Sequence, residues 1–326
     1  MKIKLTRRIL LFLLLVVFLG VAFFPPAHQA PIVYIERETR KIKTEKVPGE
    51  KWLIWLYNNP FGEVTLQTLV KRKFVSSLYG KLMDRSGSIK KIGPFIKDYG
   101  IDINIVQKKS YHSFNDFFTR KFRKNARKIN VDSLVIVSPG DGRMLAYADL
   151  GNQDFLVKGS RFNVNEFLGD TLLGRRYKEG GLIILRLSPA DYHRFHFPVS
   201  GTISSLTKVK GDYYSVSPLA LRKITNILCR NKREYVTIST RNSGKVIMAE
   251  VGATMVGSIL QTYNGQDAVK GSEKGYFKFG GSSVVLLFEK GKIRIDEDLL
   301  HDTKSHFETF VKLGERIAIC SPGSRQ

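Results

Sequence analysis

The pattern of apolar and polar positions divides the chain into three stretches. Residues 9–24 (ILLFLLLVVFLGVAFF) form an apolar run without a charge, preceded by Lys2, Lys4, Arg7 and Arg8 and closed by Pro25-Pro26. From Pro31 to about Lys128, apolar residues such as Leu66, Leu69, Phe74, Leu78 and Leu82 recur at roughly helical spacing, with Lys71, Arg72, Lys73 and Lys81 between them. From Val131 onward the texture changes to short β-rich runs: LVIVSPGDG, GLIILRLSP, REYVTIST, KVIMAEVGATMVGSI and SSVVLLFEKGKIRID. Gly, Pro, Asn and Asp punctuate them, which predicts mostly antiparallel β structure and not alternating βαβ units. The expected fold class is α+β: an N-terminal membrane anchor over 1–30, a basic helical arm over 31–130, and a β-rich domain with the candidate catalytic residues over 131–326. No internal repeat interrupts this plan.

The first run is close to the ~17–25 residues that span a bilayer and longer than the ~7–15 of a signal-peptide core. His28-Gln29-Ala30 also puts a histidine where a signal peptidase wants a small residue. An uncleaved anchor in the cell membrane is therefore expected. Arg37, Arg40, Lys41, Lys43 and Lys46 follow the run as other cations precede it, so charge does not set its orientation.

Charge narrows the partners. Lys and Arg number 53 against 29 Asp and Glu, a formal net charge of +24. Such an excess favours an anionic polymer or an anionic surface. A basic amphipathic helix beside an anchor suits docking on acidic lipid; the plainer alternative packs its apolar stripe on the core. The run Lys108–Lys128 (KKSYHSFNDFFTRKFRKNARK) interleaves aromatics with cations, a composition that serves base stacking or a membrane interface, but no nucleic-acid module signature accompanies it. Cys229 and Cys320, the two cysteines, form no CxxC pair, and neither a disulfide framework nor a metal site is expected.

Four places in the β-rich part carry reactive side chains: Asp141 in SPGDG; Asp191, His193 and His196 in SPADYHRFHFP; Glu273 in KGSEKGYF; and Ser282-Ser283 in FGGSSVV. Asp141 in a Pro-Gly-Asp-Gly turn presents a carboxylate with little backbone bulk around it, although turn chemistry alone also explains an Asp there. His193 and His196 lie three apart, facing opposite sides of a strand or one side of a helical turn. A metal reading of the pair lacks a third ligand. Gly280 and Gly281 permit close approach and unusual backbone angles before Ser282, which becomes a nucleophile if a histidine takes its proton and an acid orients that histidine. A tight turn entering a strand is the plainer reading of the same tetrapeptide.

In order along the chain, SPGDG, RLSPADYHRFHFPVSG, EVGATMVGSI and KGSEKGYFKFGGSSVVLLFEKG resemble the phosphatidylserine decarboxylase family. The likeness covers about two thirds of the chain, from SFNDFFTRKF at Ser113 almost to the C-terminus, and the arm from Ile32 to Asp102 resembles the N-terminal region of bacterial members, with lower specificity. Many members have one glycine before the serine pair, whereas this chain has two.

The resemblance implies a pro-enzyme that cuts itself between Gly281 and Ser282. Asp141, His196 and Ser282 match the family's self-cleavage relay: Asp141 orients the imidazole and His196 removes the Ser282 proton. Ser282 oxygen attacks the Gly281 carbonyl, β-elimination breaks the ester, and hydrolysis leaves a pyruvoyl group on the small C-terminal chain. That cofactor, made from Ser282, forms a Schiff base with phosphatidylserine and yields phosphatidylethanolamine and carbon dioxide. His193 matches a second histidine, a proton donor in the decarboxylation. Partners implied are an anionic membrane surface, the two chains of one precursor and a homo-oligomer, with no nucleic acid. Two other classes use the same residues: a serine hydrolase built on Ser282, His196 and Asp141, and a non-catalytic basic binder. Both predict an uncut chain.

Overall fold

The computed structural model describes residues 29–151, 155–157, 160–224, 226–254, 258–278 and 280–321, with isolated positions between 9 and 20. Eleven strands among the described residues form the main sheet. Its central path runs Arg233–Ser239, Lys245–Val251, Ser282–Leu287, Leu182–Leu187, Gly142–Tyr147 and Glu308–Val311, each strand antiparallel to the next. Leu182–Leu187 and Ser282–Leu287 are buried at every residue, so both faces of the sheet's middle are covered. That explains their continuous apolar runs, where a sheet with one wet face would alternate. The mixed helix and antiparallel-rich sheet architecture agrees with the expected fold class.

The arm differs from its expectation at its start. Its first residues are strands, not helix: Val33–Glu36 pairs in parallel with Glu308–Val311, and Ile42–Thr44 closes that edge. Helices follow at Glu50–Asn58, Pro60–Thr65, Lys73–Asp84, Ile92–Tyr99 and Phe114–Phe118. The break between the first two is written locally, since Asn59 accepts from the Phe61 and Gly62 amides and Pro60 occupies the first helical turn. Leu56, Tyr57, Leu66 and Val70 then join the main core.

The apolar stripe follows the outward-facing of the two readings open to it. Helix Lys73–Asp84 turns Ser76, Gly80 and Met83 inward, while Phe74 is 73% exposed and Leu78 and Leu82 also face outward. Apart from Leu66, which joins the main core, the stripe therefore does not pack on the core. No helix of the described residues is long and apolar enough to cross a membrane, and the expected anchor at 9–24 lies almost wholly outside them. Cys229 and Cys320 are free, buried thiols.

A buried charge cluster locks the sheet. Arg186 donates to both oxygens of Glu308 (2.9 and 2.6 Å) and both of Glu45 (3.0 and 2.6 Å). Its cross-strand neighbour Arg143 lies 2.9 Å from Glu45 and ion-pairs with Asp191. Burial opposes ionisation of Glu45, but Arg186 and Arg143 outweigh it and hold its carboxyl below the usual range. Arg186→Met leaves two buried carboxylates short of a partner and is expected to cost about 3–5 kcal/mol. Urea unfolding checks this, and adding Glu45→Gln and Glu308→Gln should restore most of the loss.

Candidate active site

Strand pairing brings the expected residues to one end of the sheet. Ser282 stands opposite Leu187, and Arg143 opposite Arg186, so Gly142, Leu187 and Ser282 form a row across three strands. At ~4.8 Å per strand, the Asp141 turn lies roughly 10 Å from Ser282. Gly142 has to be glycine, because a Cβ would come within 2.7 Å of the Arg186 carbonyl. Gly280 holds φ at 128°, which side chains other than hydrogen resist. Ser282 is fully buried, and its hydroxyl has no hydrogen-bond partner among the described residues.

The two histidines lie on Arg194–His196 and just before it, a strand paired with Glu273–Phe277, which leads into Gly280-Gly281-Ser282. His196 is opposite Glu273, whereas the His193 carbonyl accepts from the Phe277 amide, so His193 is nearer to Ser282 in register. The His196 amide donates to Pro139, which sets that histidine beside the Asp141 turn.

His196 Nδ1 meets the Gly271 carbonyl at 2.9 Å, so Nδ1 carries the proton and Nε2 accepts from the Tyr192 hydroxyl at 3.4 Å. Burial pushes the His196 ring below the ordinary histidine value, against the Gly271 carbonyl and the charges of Glu273 and Asp141. In this structure Gly271 supplies the orienting acceptor, and Asp141 acts on the ring through its charge. The Asp141 carboxylate itself is taken by Arg127, whose Nη2 lies 2.5 Å away, and by the Leu313 amide at 2.7 Å. Asp141, His196 and Ser282 are thus brought to one region without a hydrogen bond between them.

His193 is fully buried and stacks on Phe118, with centroids 3.9 Å apart. Its Nδ1 lies 3.1 Å from the Asp191 carbonyl, and Nε2 has no partner among the described residues. Burial, then the nearby Arg120 charge, push its pKa down to about 3, although the Asp191 and Gly280 carbonyls act the other way. Of the other expected residues, Asp191 pairs with Arg143 and accepts from the Ser188 amide, and Glu273 accepts from Arg194 and Thr262.

A cavity of ≈ 300 Å³ opens beside this segment, lined by Gly280 and Gly281, by Ser188, Ser215 and Ser217, and by Trp52 and Tyr79 of the arm. The Ser188 and Ser217 hydroxyls are buried without partners among the described residues. The run Lys108–Lys128, expected at a surface, instead builds the site's wall: Phe114, Phe117, Phe118 and Arg120 are buried. Arg127 lies over Phe122, which stacks on Tyr192 at 3.8 Å. Arg120, Arg127 and Tyr192 are functional neighbours that the sequence reading did not single out. The helical i, i+3, i+4 spacing of Phe114, Phe117 and Phe118 was the available signal.

A family model described as phosphatidylserine decarboxylase matches residues 114–319. The chain belongs to the phosphatidylserine decarboxylase family. A family relative from Fusobacterium nucleatum, named phosphatidylserine decarboxylase proenzyme, is 49% identical over 290 residues, covering 88% of this chain and 97% of its own. A Clostridium botulinum protein of the same name is 47% identical over 292 residues (88% and 99%), and one from Desulfitobacterium hafniense is 45% identical over 297 (90% and 99%). The phosphatidylserine decarboxylase match thus takes in every expected site residue and begins in the aromatic wall.

Neutral burial of His193 has a consequence for stability. Its folded pKa lies below the unfolded 6.5, so below that pH the unfolded chain takes up a proton that the folded one refuses. Stability from this group is complete above pH 6.5 and falls as pH drops toward 3. Between pH 7 and pH 5 the wild type should lose about 2 kcal/mol more than His193→Gln, as read from urea unfolding at each pH.

Proposed function

We propose that the chain cuts itself between Gly281 and Ser282, and that the product decarboxylates phosphatidylserine to phosphatidylethanolamine in the adjoining cavity. One observation carries this: Gly280-Gly281 lines a cavity together with Ser188 and Ser217, and these two hydroxyls, the Ser282 hydroxyl next in the chain and His193 Nε2 are all buried without a partner among the described residues. Buried polar atoms without partners are costly, and a polar headgroup or a reacting peptide would satisfy them.

For self-cleavage, His196 serves as the base and Asp141 as the acid that supports its charge. Ser282 oxygen bonds to the Gly281 carbonyl carbon, the Gly281–Ser282 amide bond breaks, and the nitrogen takes the proton that Ser282 gave up. Elimination from the ester then frees the Gly281 carboxylate. The site fits the pyruvoyl group that hydrolysis would leave at 282, since the Ser282 side chain is buried, makes no hydrogen bond among the described residues that the change would break, and directly follows Gly281, which lines the cavity. Such a group supplies an electrophilic carbonyl that takes up the substrate amine and accepts the electrons released with carbon dioxide. His193, neutral with Nε2 bare, takes a proton from the incoming ammonium and returns one to the carbon that loses carbon dioxide.

A second assignment within the same reading has its own support. His193 lies nearer to Ser282 in register, and the Gly280 carbonyl acts on its ring, which makes it an alternative base for the cut. Intact mass after denaturation decides between them. The wild type should give two chains, the smaller beginning at 282 with pyruvoyl in place of serine, and Ser282→Ala one uncut, inactive chain. His196→Ala should stay uncut while His193→Ala cuts and decarboxylates poorly; the reverse pattern moves the base to His193. An uncut wild type with esterase activity would return the serine hydrolase.

Membrane attachment completes the proposal. Val64, Leu69, Phe74, Leu78 and Leu82 are exposed on the arm that also lines the cavity, amid Arg72, Lys73, Lys81, Lys90 and Lys91. Apolar insertion and headgroup attraction act together on such a face, and each cation near the surface adds about 1 kcal/mol. The arm would hold the cavity against the cell membrane, with residues 9–24 as anchor. Phe74→Asp with Leu78→Asp should lower turnover on anionic vesicles roughly tenfold and leave detergent-dispersed substrate unaffected. Equal loss in both would sink the docking role.

A further inference from the structure

Arg120 follows helix Phe114–Phe118 and is 5% exposed. It makes no ion pair among the described residues: Nη2 donates to the Ala190 and Asp191 carbonyls, each at 2.9 Å, and Nε and Nη1 are buried without an acceptor. The Phe117 ring, 5.0 Å from the guanidinium carbon, is a weak electrostatic partner. A buried guanidinium without a carboxylate is destabilising, so a folding role alone is a poor account of it.

Its position suggests another. The Asp191 carbonyl that accepts from Arg120 also faces His193 Nδ1 at 3.1 Å. A carbonyl only accepts, so Nδ1 bears the hydrogen and Nε2 is bare. The Asp191 carboxylate is turned away to Arg143 and the Ser188 amide. Phe118 covers one face of the ring, and Arg120 is the one charge that acts on it among the described residues, beside the carbonyls of Asp191 and Gly280.

We propose that Arg120 is the positioning residue for His193: it pins the Ala190 and Asp191 carbonyls, thereby fixes the Nδ1–H tautomer, and keeps Nε2 a bare proton acceptor beside Gly280-Gly281-Ser282. Its charge opposes a second proton on the ring. The inference rests on His193 working at this site, in either role proposed above.

Nitrogen-15 NMR of histidine-labelled, full-length protein tests it directly, with the His193 signals assigned by their loss in His193→Gln. A neutral Nδ1–H ring from pH 8 to pH 5 is expected; an Nε2–H tautomer, or an imidazolium at pH 6, would overturn the proposal. Arg120→Gln keeps a donor and removes the charge, so the acid limb of the decarboxylation profile should rise by about one unit. Arg120→Lys keeps the charge and should retain the wild-type limb. If both variants leave the limb in place, the proposal fails, and if Arg120→Gln does not fold, the wild-type spectrum decides alone. A fully active His193→Gln would instead remove the role of His193 while leaving the tautomer result readable.

Discussion

Everything in this fold depends on where the strand Ser282–Leu287 sits. It is an interior strand, hydrogen-bonded to Lys245–Val251 on one side and Leu182–Leu187 on the other. A break before its first residue leaves both ladders and the whole apolar strand in place. Arg186 and Glu308, from opposite sides of the break, remain joined inside the same protein. Self-cleavage of a peptide normally threatens a fold; at the proposed position it would remove a connection that the packing does not need.

The candidate site is largely buried, and its electrostatics follow from that. Burial lowers both histidines, so each is a proton acceptor with its tautomer set by a backbone carbonyl, Gly271 for His196 and Asp191 for His193. Carboxylates are managed in the opposite way: Asp141 is held by Arg127 and Asp191 by Arg143. Burial still raises the Asp191 carboxyl above its usual range, against Arg143 and the Ser188 amide, and the same burial keeps both histidines neutral.

The ordered motifs in the sequence carried the family, and they singled out Asp141, His193, His196 and Ser282 as candidates because these lie in segments whose turn and strand chemistry is local. What escaped was long-range. Val33–Glu36 has the β-branched and aromatic composition of a strand, but its partner is residues 308–311, and nothing nearby reveals a parallel pairing across that separation. The run Lys108–Lys128 misled because aromatics and cations have the same composition at a surface and in a wall; only contact with Asp141 and the Asp191 carbonyl distinguishes Arg127 and Arg120. The arm's stripe has helical periodicity whichever way it faces, and periodicity does not say that Phe74 points outward.

The parallel pairing of Val33–Glu36 with Glu308–Val311 also sets a clock. During synthesis the first of these strands leaves the ribosome long before its partner exists, and contacts so far apart in sequence close slowly. The edge that carries the arm therefore cannot be finished until nearly the whole chain has been made. If the cut requires the finished site, the last segment is already woven into the sheet when its covalent tether is severed, so translation order itself guards against losing the small chain.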